Sequence, residues 1–455
     1  MKAIIMAGGQ GTRLRSISEE LPKPMIPVLG KPILEYQIDE LRRSGIRDII
    51  IMTGYKAEHI RNYFGDGSRF SVNISYVNED YPMGTAGALW FLRELCDDDF
   101  LLLMGDLMLS VDFGRFMEQH RRMGGLVTLF VHPNSHPYDS DVILTEYKLS
   151  VSDFTEDKCG LGREIIEREQ GSLVTGVLPK SKERDGYYHN LVNAGIYAFK
   201  RGLLSLIPEP IEGHKTDLDK DIIRPLIEKG EVYALHSTEY VKDMGTPERY
   251  KAVSEDIKNG TVEARNLRNK QKCIFLDRDG TINVYKGFVA DPDKLELIEG
   301  AAEAIRRINE SEYLAVLVTN QPVIARGELS LEGLYEINSK LETELGKRGA
   351  YLDDIFFCPH HSHKGFEGEV KELKFECSCR KPEAGMLYQA AKRYNINLSA
   401  SYMVGDMAMD MSCGRKAGTK TVLVHSGKQE EIEDKEALVD IEAGDLLEAV
   451  ERILS

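Results

Sequence analysis

The stretch Cys273-Ile274-Phe275-Leu276-Asp277-Arg278-Asp279-Gly280-Thr281 carries the strongest fold signal in the chain. Its apolar first part is typical of a buried strand, and two aspartates follow where that strand should end. Alternation along an extended chain predicts that Asp277 and Asp279 point to the same side. Open α/β sheets bind ligands at the carboxyl ends of their strands, so we expect a catalytic edge and the start of a domain here.

The bulk composition is that of a globular protein with more than one domain. The chain has 455 residues, of which 42% are hydrophobic and 29% are charged, and its net charge is -16. This length favours two or three domains. The negative charge argues against unspecific nucleic-acid binding, because a polyanion would be repelled. We therefore expect small-molecule substrates and no nucleic-acid partner, and a homo-oligomer stays open.

The first residues form a short strand-like run, Ala3 to Ala7, instead of a signal peptide. No apolar run approaches membrane-spanning length, so we expect a cytoplasmic protein without membrane contact. Seven cysteines are present. Four of them stand singly, which suits reduced thiols better than disulfides; they are Cys96, Cys159, Cys273 and Cys413.

A glycine-rich turn, Gly8-Gly9-Gln10-Gly11-Thr12-Arg13-Leu14, follows the first strand. Glycines let the backbone approach an anion, and Arg13 adds a bidentate phosphate donor. Taken alone, such a turn is as often structural as functional. The prolines of Pro22-Lys23-Pro24 hold Lys23 in an extended segment that could return to the same phosphates.

Helical and strand-like segments alternate after this turn, which indicates a parallel α/β sheet. They are 33–43, 48–53, 57–64 and 72–77. Residues 84–88 open a further helix, either for a base or ribose or for a tight contact between helix and strand. The apolar run 100–104 then leads to Asp106, which could cap the next helix or bind a hard cation.

These motifs, followed by Asn193-Ala194-Gly195 and Asp243-Met244-Gly245-Thr246-Pro247, resemble the sugar-1-phosphate nucleotidyltransferases in their order along the chain, over residues 1 to about 255. The resemblance implies a Rossmann-like domain in which an oxygen of the sugar phosphate attacks the α-phosphorus of the nucleotide. The protein positions these two reactants and neutralises their negative charge, and no covalent protein nucleophile is needed. It implies the following nucleotide-binding residues: Gly8, Gly9, Gly11, Thr12, Arg13, Lys23, Glu79 near the base, Gly84 and Thr85.

The same resemblance implies catalytic roles for Arg13 and Lys23 and a Mg²⁺ ion on Asp106 and Asp243. It places the sugar against Asn193, Gly195 and Lys180. One departure is visible. The family commonly carries Glu-Lys-Pro before its Asn-Ala-Gly motif, whereas this chain has Leu178-Pro179-Lys180.

A change of composition marks the end of this part. The residues from Thr246 to Lys258 predict a terminal helix, and Asn259-Gly260 opens a polar run. We therefore predict a nucleotidyltransferase domain over 1–258, a linker over 259–271 and a second domain over 272–455. The second domain should end with a closing helix over 441–454.

Three further strand-end motifs follow the opening aspartates: Thr319-Asn320-Gln321, Arg380-Lys381-Pro382 and Gly405-Asp406. In this order they resemble the haloacid dehalogenase superfamily, which implies a Rossmannoid phosphatase domain. Asp277 would attack phosphorus, while Asp279 would protonate the leaving oxygen and then activate water. The remaining implied roles are Mg²⁺ binding by Asp277, the backbone of Asp279 and Asp406, phosphoryl binding by Thr319 and Lys381, and substrate contact by Asn320 and Arg380.

Cys358-Pro359-His360 and Cys377-Ser378-Cys379 supply three thiols and one imidazole. Four such ligands suit a closed, tetrahedral and therefore structural Zn²⁺ site in this second domain. His361 and His363 could replace a ligand, and unliganded cysteines beside a histidine-rich loop are the alternative.

The zinc-binding loop narrows the resemblance to the branch of heptose bisphosphate and histidinol-phosphate phosphatases. Residues 277–283 and 319–321, with Ile324-Ala325-Arg326-Gly327, are nearer to the heptose members. Pro322 replaces a usual serine, and Met407 replaces a common lysine. The fusion implies removal of the 7-phosphate of heptose 1,7-bisphosphate, followed by transfer of GMP from GTP to heptose 1-phosphate. The alternatives are another sugar or nucleotide, or one half acting only as scaffold or sensor.

Overall fold

The computed structural model describes residues 1–9, 20–146, 149–155, 171–428 and 430–455. The described residues form two compact units. The first contains the described parts of Met1–Val131, Gln170–Val177 and Asn193–Asn266. The second contains those of His132–Glu169, Leu178–Val192 and Leu267–Ser455. Two segments from the first half of the sequence, in their described parts, thus belong to the second unit.

The first unit is built on a mixed sheet with a parallel centre. Strand β1 pairs in parallel with β4 on one side and β6 on the other, and β11 continues the sheet antiparallel to β6. The order within this unit is β5-β4-β1-β6-β11-β8-β12-β10. The strands are β1 Lys2–Met6, β2 Pro27–Val28, β3 Lys31–Pro32, β4 Asp48–Thr53, β5 Asn73–Asn78, β6 Phe100–Met104, β7 Leu107–Ser110, β8 Val127–His132, β10 Gly171–Leu178, β11 Val192–Phe199, β12 Val232–His236 and β13 Tyr240–Asp243.

The helices of this unit bury apolar faces against the sheet, and they confirm the helices predicted over 33–43 and 57–64. They are Ile33–Arg43, Ala57–Phe64, Gly84–Gly87, Phe113–Met123, Arg224–Ile227, Pro247–Lys258 and Thr261–Ala264. The helix Pro247–Lys258 begins after Thr246, whose side chain accepts a hydrogen bond from the Arg249 N–H. The polar run after Gly260 is not featureless, since it contains the short helix Thr261–Ala264.

The second unit is built on a fully parallel six-stranded sheet with the order β16-β15-β14-β17-β18-β19. The strands are β14 Lys272–Leu276, β15 Tyr313–Asn320, β16 Asp354–Cys358, β17 Tyr402–Gly405, β18 Lys420–Val424 and β19 Ile441–Ala443. The short strand β9, Val142–Thr145, also belongs to this unit, where its Val142 pairs with Val192.

Helices cover both faces of this sheet, as its apolar strands require. They are Ala301–Asn309, Leu331–Gly346, Gly385–Arg393, Ala408–Ala417, Lys435–Leu438 and Leu446–Leu454. A single closing helix over 441–454, which the sequence predicts, is wrong in its first part. Residues Ile441–Ala443 form an edge strand beside β18, and the helix begins only at Leu446 after its cap Asp445.

Across the described ranges, none of the helices combines the length and the apolar character needed to cross a bilayer. The six described cysteines form no disulfide, in agreement with the expectation of reduced thiols. Cys159 lies outside the described residues.

Candidate active sites and metal centre

Three buried carboxylates meet at one edge of the second unit's sheet. Asp277 follows β14 and Asp406 follows β17, while Asp410 lies in the first turn of the helix Ala408–Ala417. One oxygen from each lies within 4.8 Å of the others. Because β14 and β17 are parallel neighbours, their carboxyl ends meet at the same edge of the sheet.

Lys381 is the single cation inside this group in the described part of the chain. Its Nζ lies 2.7 Å from Asp277 Oδ1 and 2.6 Å from Asp410 Oδ1, and its side chain is 1% exposed. Burial alone would lower the pKa of Lys381, but the two carboxylates raise it. Burial also raises the pKa of Asp277, Asp410 and, to about 6, Asp406. One ammonium thus leaves three buried carboxylates with excess negative charge.

The cluster of three carboxylates is suited to binding a divalent cation. Asp406 Oδ1 is buried, and among the described residues no hydrogen-bond donor reaches it. An unpaired buried carboxylate oxygen is costly, and a bound cation would remove that cost. Oxygen ligands are those that Mg²⁺ prefers. Asp410, and not the side chain of Asp279, joins Asp277 and Asp406 in this group.

The side chain of Asp279 is held beside the group by its own hydrogen bonds. Its Oδ2 accepts from Arg278 Nη2 at 2.9 Å, and its Oδ1 accepts from Asn283 Nδ2 at 2.9 Å. Strand β14 ends at Leu276, so strand alternation does not extend to Asp279. The carboxylate is therefore oriented by neighbouring side chains, a geometry suited to a group that gives and takes a proton.

Two glycines let the backbone pass close to Asp406. Gly280 has a φ of +89°, and a Cβ there would lie 2.5 Å from Asp406 Oδ2. A Cβ on Gly427 would lie 2.0 Å from the same oxygen. The Lys428 N–H donates to this oxygen at 2.7 Å. Any larger residue at these two positions would displace the carboxylate.

The residues predicted to bind phosphate and substrate lie around the same edge, but not all are free to do so. Asn320 and Lys381 exchange two hydrogen bonds of 3.0 Å, from Asn320 Nδ2 to the Lys381 carbonyl and from the Lys381 N–H to Asn320 Oδ1. Thr319 Oγ1 accepts from Gln321 Nε2 at 2.9 Å. Arg380 Nη1 donates to the His360 carbonyl at 3.1 Å. Asn320 and Arg380 thus hold the loops that carry Lys381 and His360.

The predicted zinc ligands come together as a compact cluster. Cys358 Sγ lies 3.6 Å from Cys377 Sγ and 3.4 Å from Cys379 Sγ, and His360 Nδ1 lies 3.2 Å from Cys379 Sγ. These separations suit four ligands around one tetrahedral ion. Burial opposes ionisation of Cys358, but hydrogen bonds from the other two thiols lower its pKa. His361 and His363 lie outside this cluster.

The first unit contains a cleft of about 700 Å³ at the carboxyl ends of β1 and β6. Predicted residues from four separate motifs line it, so the fold places these parts of the four motifs around one cleft. The predicted residues that line the cleft are Gly8, Gly9, Lys23, Glu79, Gly84, Thr85 and Asp106.

The two carboxylates predicted to bind Mg²⁺ in the first unit each have a cation of their own. Lys23 Nζ forms an ion pair with Asp106, and Arg249 Nη1 forms one with Asp243. Burial would raise the pKa of Asp243, but the hydrogen bond and charge of Arg249 outweigh burial and lower it. Asp106 does not cap a helix, because strand β7 follows it. Its carboxylate therefore stays available to a cation.

Glu79 forms part of the cleft wall next to the glycine-rich turn. A Cβ on Gly8 would lie 2.8 Å from Glu79 Oε1, so glycine at position 8 makes room for this carboxylate. Burial raises the pKa of Glu79. Gly84 has a φ of +83° and lies against the Thr216 carbonyl, and Thr85 Oγ1 accepts from the Leu218 N–H at 2.7 Å. Both residues therefore also have a packing role.

The predicted sugar contacts do not line this cleft. Asn193 Oδ1 accepts from the Gly195 N–H at 3.0 Å within strand β11, where Gly195 has a φ of +75°. Lys180 belongs to the second unit, where its N–H donates to Asp141 Oδ1 at 2.8 Å. Gly11, Thr12 and Arg13 lie outside the described residues.

Two residues of the sites carry no assigned role in the sequence analysis. Asp410 stands four residues after Asp406, in the first turn of the helix that follows the Gly405-Asp406 motif, and this closeness in sequence is the signal that could have identified it. Lys215 lines the cleft of the first unit from an irregular loop. No periodicity or motif marks that loop, so sequence alone offers no signal for Lys215.

Two family models match separate parts of the chain. The model of the family described as nucleotidyl transferase matches residues 2–260, and that described as HAD-hydrolase-like matches residues 378–449. The D-glycero-β-D-manno-heptose-1,7-bisphosphate 7-phosphatase of Pasteurella multocida is 45% identical over 159 residues, which are 35% of this chain and 84% of that protein.

Two further relatives are similar over most of their own length. The protein of the same name from Photorhabdus laumondii is 39% identical over 185 residues, which are 40% of this chain and 96% of that protein. A crystal structure of a D,D-heptose 1,7-bisphosphate phosphatase from B. bronchiseptica, complexed with magnesium and phosphate, is 32% identical. The match covers 40% of this chain and 98% of the B. bronchiseptica chain, and its TM-score is 0.35. The match over residues 2–260 shows that the chain belongs to the nucleotidyl transferase family, and the relatives from Pasteurella multocida and Photorhabdus laumondii show that it also belongs, through a second part of its sequence, to the family of these bisphosphate 7-phosphatases.

Proposed function

We propose that the chain performs two consecutive steps in making a nucleotide-activated heptose. The second unit removes the 7-phosphate of D-glycero-D-manno-heptose 1,7-bisphosphate. The first unit then joins the resulting heptose 1-phosphate to GMP from GTP and releases pyrophosphate. The observation that carries the proposal is the presence of both site types in one chain whose relatives are 7-phosphatases. The product of the phosphatase reaction is a sugar 1-phosphate, which is the kind of substrate that the transferase reaction needs.

For the hydrolysis, Asp277 is the nucleophile. Its carboxylate attacks phosphorus, the bond to the sugar oxygen breaks, and Asp279 donates a proton to that oxygen. Asp279 then takes a proton from the water that hydrolyses the aspartyl-phosphate. Lys381, 2.7 Å from Asp277, offsets the charge that gathers around the transferred group.

Asp277, Asp406, Asp410 and the backbone of Asp279 would hold Mg²⁺ at this site, where the ion would screen the repulsion between carboxylate and phosphate. Zn²⁺ on Cys358, His360, Cys377 and Cys379 would have a structural role, because four protein ligands leave it no open position.

For the nucleotidyl transfer, the phosphate oxygen of heptose 1-phosphate attacks the α-phosphorus of the nucleotide and pyrophosphate leaves. The chain of the first unit positions the reactants: the backbone at Gly8 and Gly9 approaches the phosphates, and Lys23 neutralises their charge. Asp106 and Asp243 would hold Mg²⁺ there. Gly11, Thr12 and Arg13 complete the proposed triphosphate site, while Asn193, Gly195 and Lys180 are proposed to contact the sugar.

The choice of GTP rests on Glu79. Its carboxylate lies in the cleft wall, and a carboxylate can accept hydrogen bonds from the N–H groups on the Watson–Crick edge of guanine. Adenine lacks this pair of donors. Because GTP is a cytoplasmic metabolite, we place both reactions in the cytoplasm.

The test supplies the full chain with Mg²⁺, heptose 1,7-bisphosphate of the α or the β anomer, and GTP, ATP, UTP, CTP or dTTP in separate reactions. Phosphate, pyrophosphate and nucleotide-sugar are followed by mass spectrometry. We expect GDP-heptose with release of both phosphate and pyrophosphate. Phosphate without any nucleotide-sugar would contradict the transferase half, and a hexose bisphosphate hydrolysed faster than the heptose would contradict the substrate.

A further inference from the structure

One segment of the nucleotidyl transferase sequence lies against the zinc cluster of the phosphatase. Residues 149–155 fall within the part matched by the nucleotidyl transferase family, yet they belong to the second unit. Phe154 is the residue of this segment that contacts the cluster. Its carbonyl oxygen lies 2.6 Å from His360 Nε2.

The direction of this hydrogen bond determines which nitrogen of His360 can bind a metal. A carbonyl oxygen only accepts, so Nε2 must carry the proton and donate it. The other nitrogen, Nδ1, then keeps its lone pair, and it is the atom that lies 3.2 Å from Cys379 Sγ and 3.4 Å from Cys358 Sγ. Hydrogen bonds of this kind fix the tautomer and orientation of metal-binding histidines.

The side chain of Phe154 is seated in an apolar cluster of the phosphatase. It is 7% exposed and packs with Val323, Ile324 and Leu373. Its ring lies 5.4 Å from that of Phe357 and 6.2 Å from that of His360. Because the ring is buried in this way, the carbonyl of the same residue has little freedom to move away from His360.

A short capped turn presents Phe154. The Ser150 N–H and Oγ both donate to Asp153 Oδ2 at 2.8 Å, which closes the turn Val151–Asp153. Asp153 does not belong to the zinc cluster. It therefore offers a way to disturb the turn without touching a metal ligand.

We propose that Phe154, a residue of the nucleotidyl transferase sequence, is a positioning residue for the zinc site of the phosphatase: its carbonyl holds His360 as the Nε2–H tautomer with Nδ1 toward the three thiolates. The inference rests on the zinc site proposed above. It makes the phosphatase's metal centre dependent on a part of the chain that precedes it by more than a hundred residues.

The experiment measures how fast the full chain releases zinc to the chromogenic chelator pyridylazoresorcinol. Loss of an outer hydrogen-bond partner typically weakens metal binding about 10- to 100-fold. We expect Phe154→Ala to release zinc at least about tenfold faster than wild type, and Asp153→Ala to show a smaller change in the same direction. Phe154→Leu, which keeps most of the apolar contact, serves if the alanine variant does not fold.

Tyr138→Ala is the matched control, because Tyr138 is a 45% exposed aromatic residue that also belongs to the second unit and also precedes the phosphatase part of the sequence. It should release zinc at the wild-type rate. If zinc-loaded Phe154 and Asp153 variants release the metal as slowly as wild type, the inference is overturned while the zinc site stands. If wild type contains no zinc, the zinc site and the inference both fall.

Discussion

The two candidate active sites handle negative charge in opposite ways. In the first unit the two carboxylates predicted to bind Mg²⁺ each have their own cation, Lys23 for Asp106 and Arg249 for Asp243, and the side chain of Asp106 is 33% exposed. In the second unit three buried carboxylates share Lys381, and the side chains of Lys381 and Asp410 are at most 1% exposed. The protein pairs Asp106 and Asp243 with cations of its own, whereas the three carboxylates of the second unit outnumber their one ammonium group.

The difference matches the chemistry proposed for each site. A transferase must admit a large, polyanionic nucleotide into an open cleft, and paired side chains can exchange their partners for its phosphates. In a phosphatase with an aspartate nucleophile, the negatively charged carboxylate must approach the negatively charged phosphate of the substrate. Because three buried carboxylates share one ammonium group, we expect Mg²⁺ to bind strongly beside the nucleophile Asp277.

The largest effect that separates the two sites is expected from Asp277→Asn. Removing the nucleophile should lower phosphatase kcat at least about a thousandfold, because an amide does not form the phosphoryl-enzyme. Transferase activity on supplied heptose 1-phosphate should stay within about twofold. Release of inorganic phosphate and pyrophosphate, measured separately, tests this. Asp293→Asn, at a highly exposed site of the same unit, is the control and should change neither activity.

The reciprocal change, Lys23→Ala, should lower transferase kcat/KM about a hundredfold or more, since it removes the cation nearest Asp106 and the proposed triphosphate site. Phosphatase activity should not change. Lys251→Ala, on an exposed position of the helix Pro247–Lys258, controls for loss of a positive charge. Equal losses in the two lysine variants would mean that Lys23 acts only through net charge.

The unequal demand for a cation leads to a third prediction. Asp406→Asn removes one of the three carboxylates and should raise the Mg²⁺ concentration for half-maximal phosphatase activity about tenfold. The Mg²⁺ dependence of the transferase should be unaffected. Titration of Mg²⁺ after treatment with EDTA measures both. An unchanged phosphatase curve would contradict a metal site at Asp406.

The smallest effect concerns acid stability of the first unit. His120 is fully buried, and burial lowers its pKa from 6.5 to about 4. The unfolded chain takes up this proton below about pH 6.5 whereas the folded chain does not, so the stabilisation is present above that pH and is lost as the pH falls toward about 4.

Heating at pH 7.5 and pH 5.0, followed by assay of residual transferase activity, measures this loss. The midpoint temperature should fall less between the two pH values in His120→Gln than in wild type. His59→Gln provides the control, because His59 is an exposed histidine of the same unit. Identical pH dependence in His120→Gln and wild type would show that other groups cause the acid loss.

Sequence reasoning identified the site residues that stand at the ends of apolar strands. Asp277, Asp106 and Asp406 each follow a run whose apolar character fixes its place in the sheet. The four Cys and His residues could also be predicted from the sequence, because each pair of them is separated by a single residue along the chain. No role was predicted for Asp410, which follows the Gly405-Asp406 motif and whose carboxylate accepts the Met407 N–H.

Other features depend on contacts that are distant in sequence. Residues 132–155 and 178–192 show no pattern that assigns them to the second unit. Tyr188 donates its N–H to Thr343 Oγ1 at 3.1 Å, and His189 pairs with Glu342. Neither pair can be anticipated from one sequence, because no local propensity links positions more than 150 residues apart. Edge strand β19 was missed for a similar reason, since only pairing with β18 makes Ile441–Ala443 extended.

The interleaved second unit has a consequence for synthesis on the ribosome. Leu149, Val151 and Phe154 leave the exit tunnel more than 160 residues before the apolar residues they pack with, such as Val323 and Leu373. At a translation rate of about 5–20 residues per second, these apolar side chains wait for roughly 8 to 45 seconds. The nascent chain cannot complete its second unit from a contiguous stretch, so an early segment must stay unaggregated until the late one arrives.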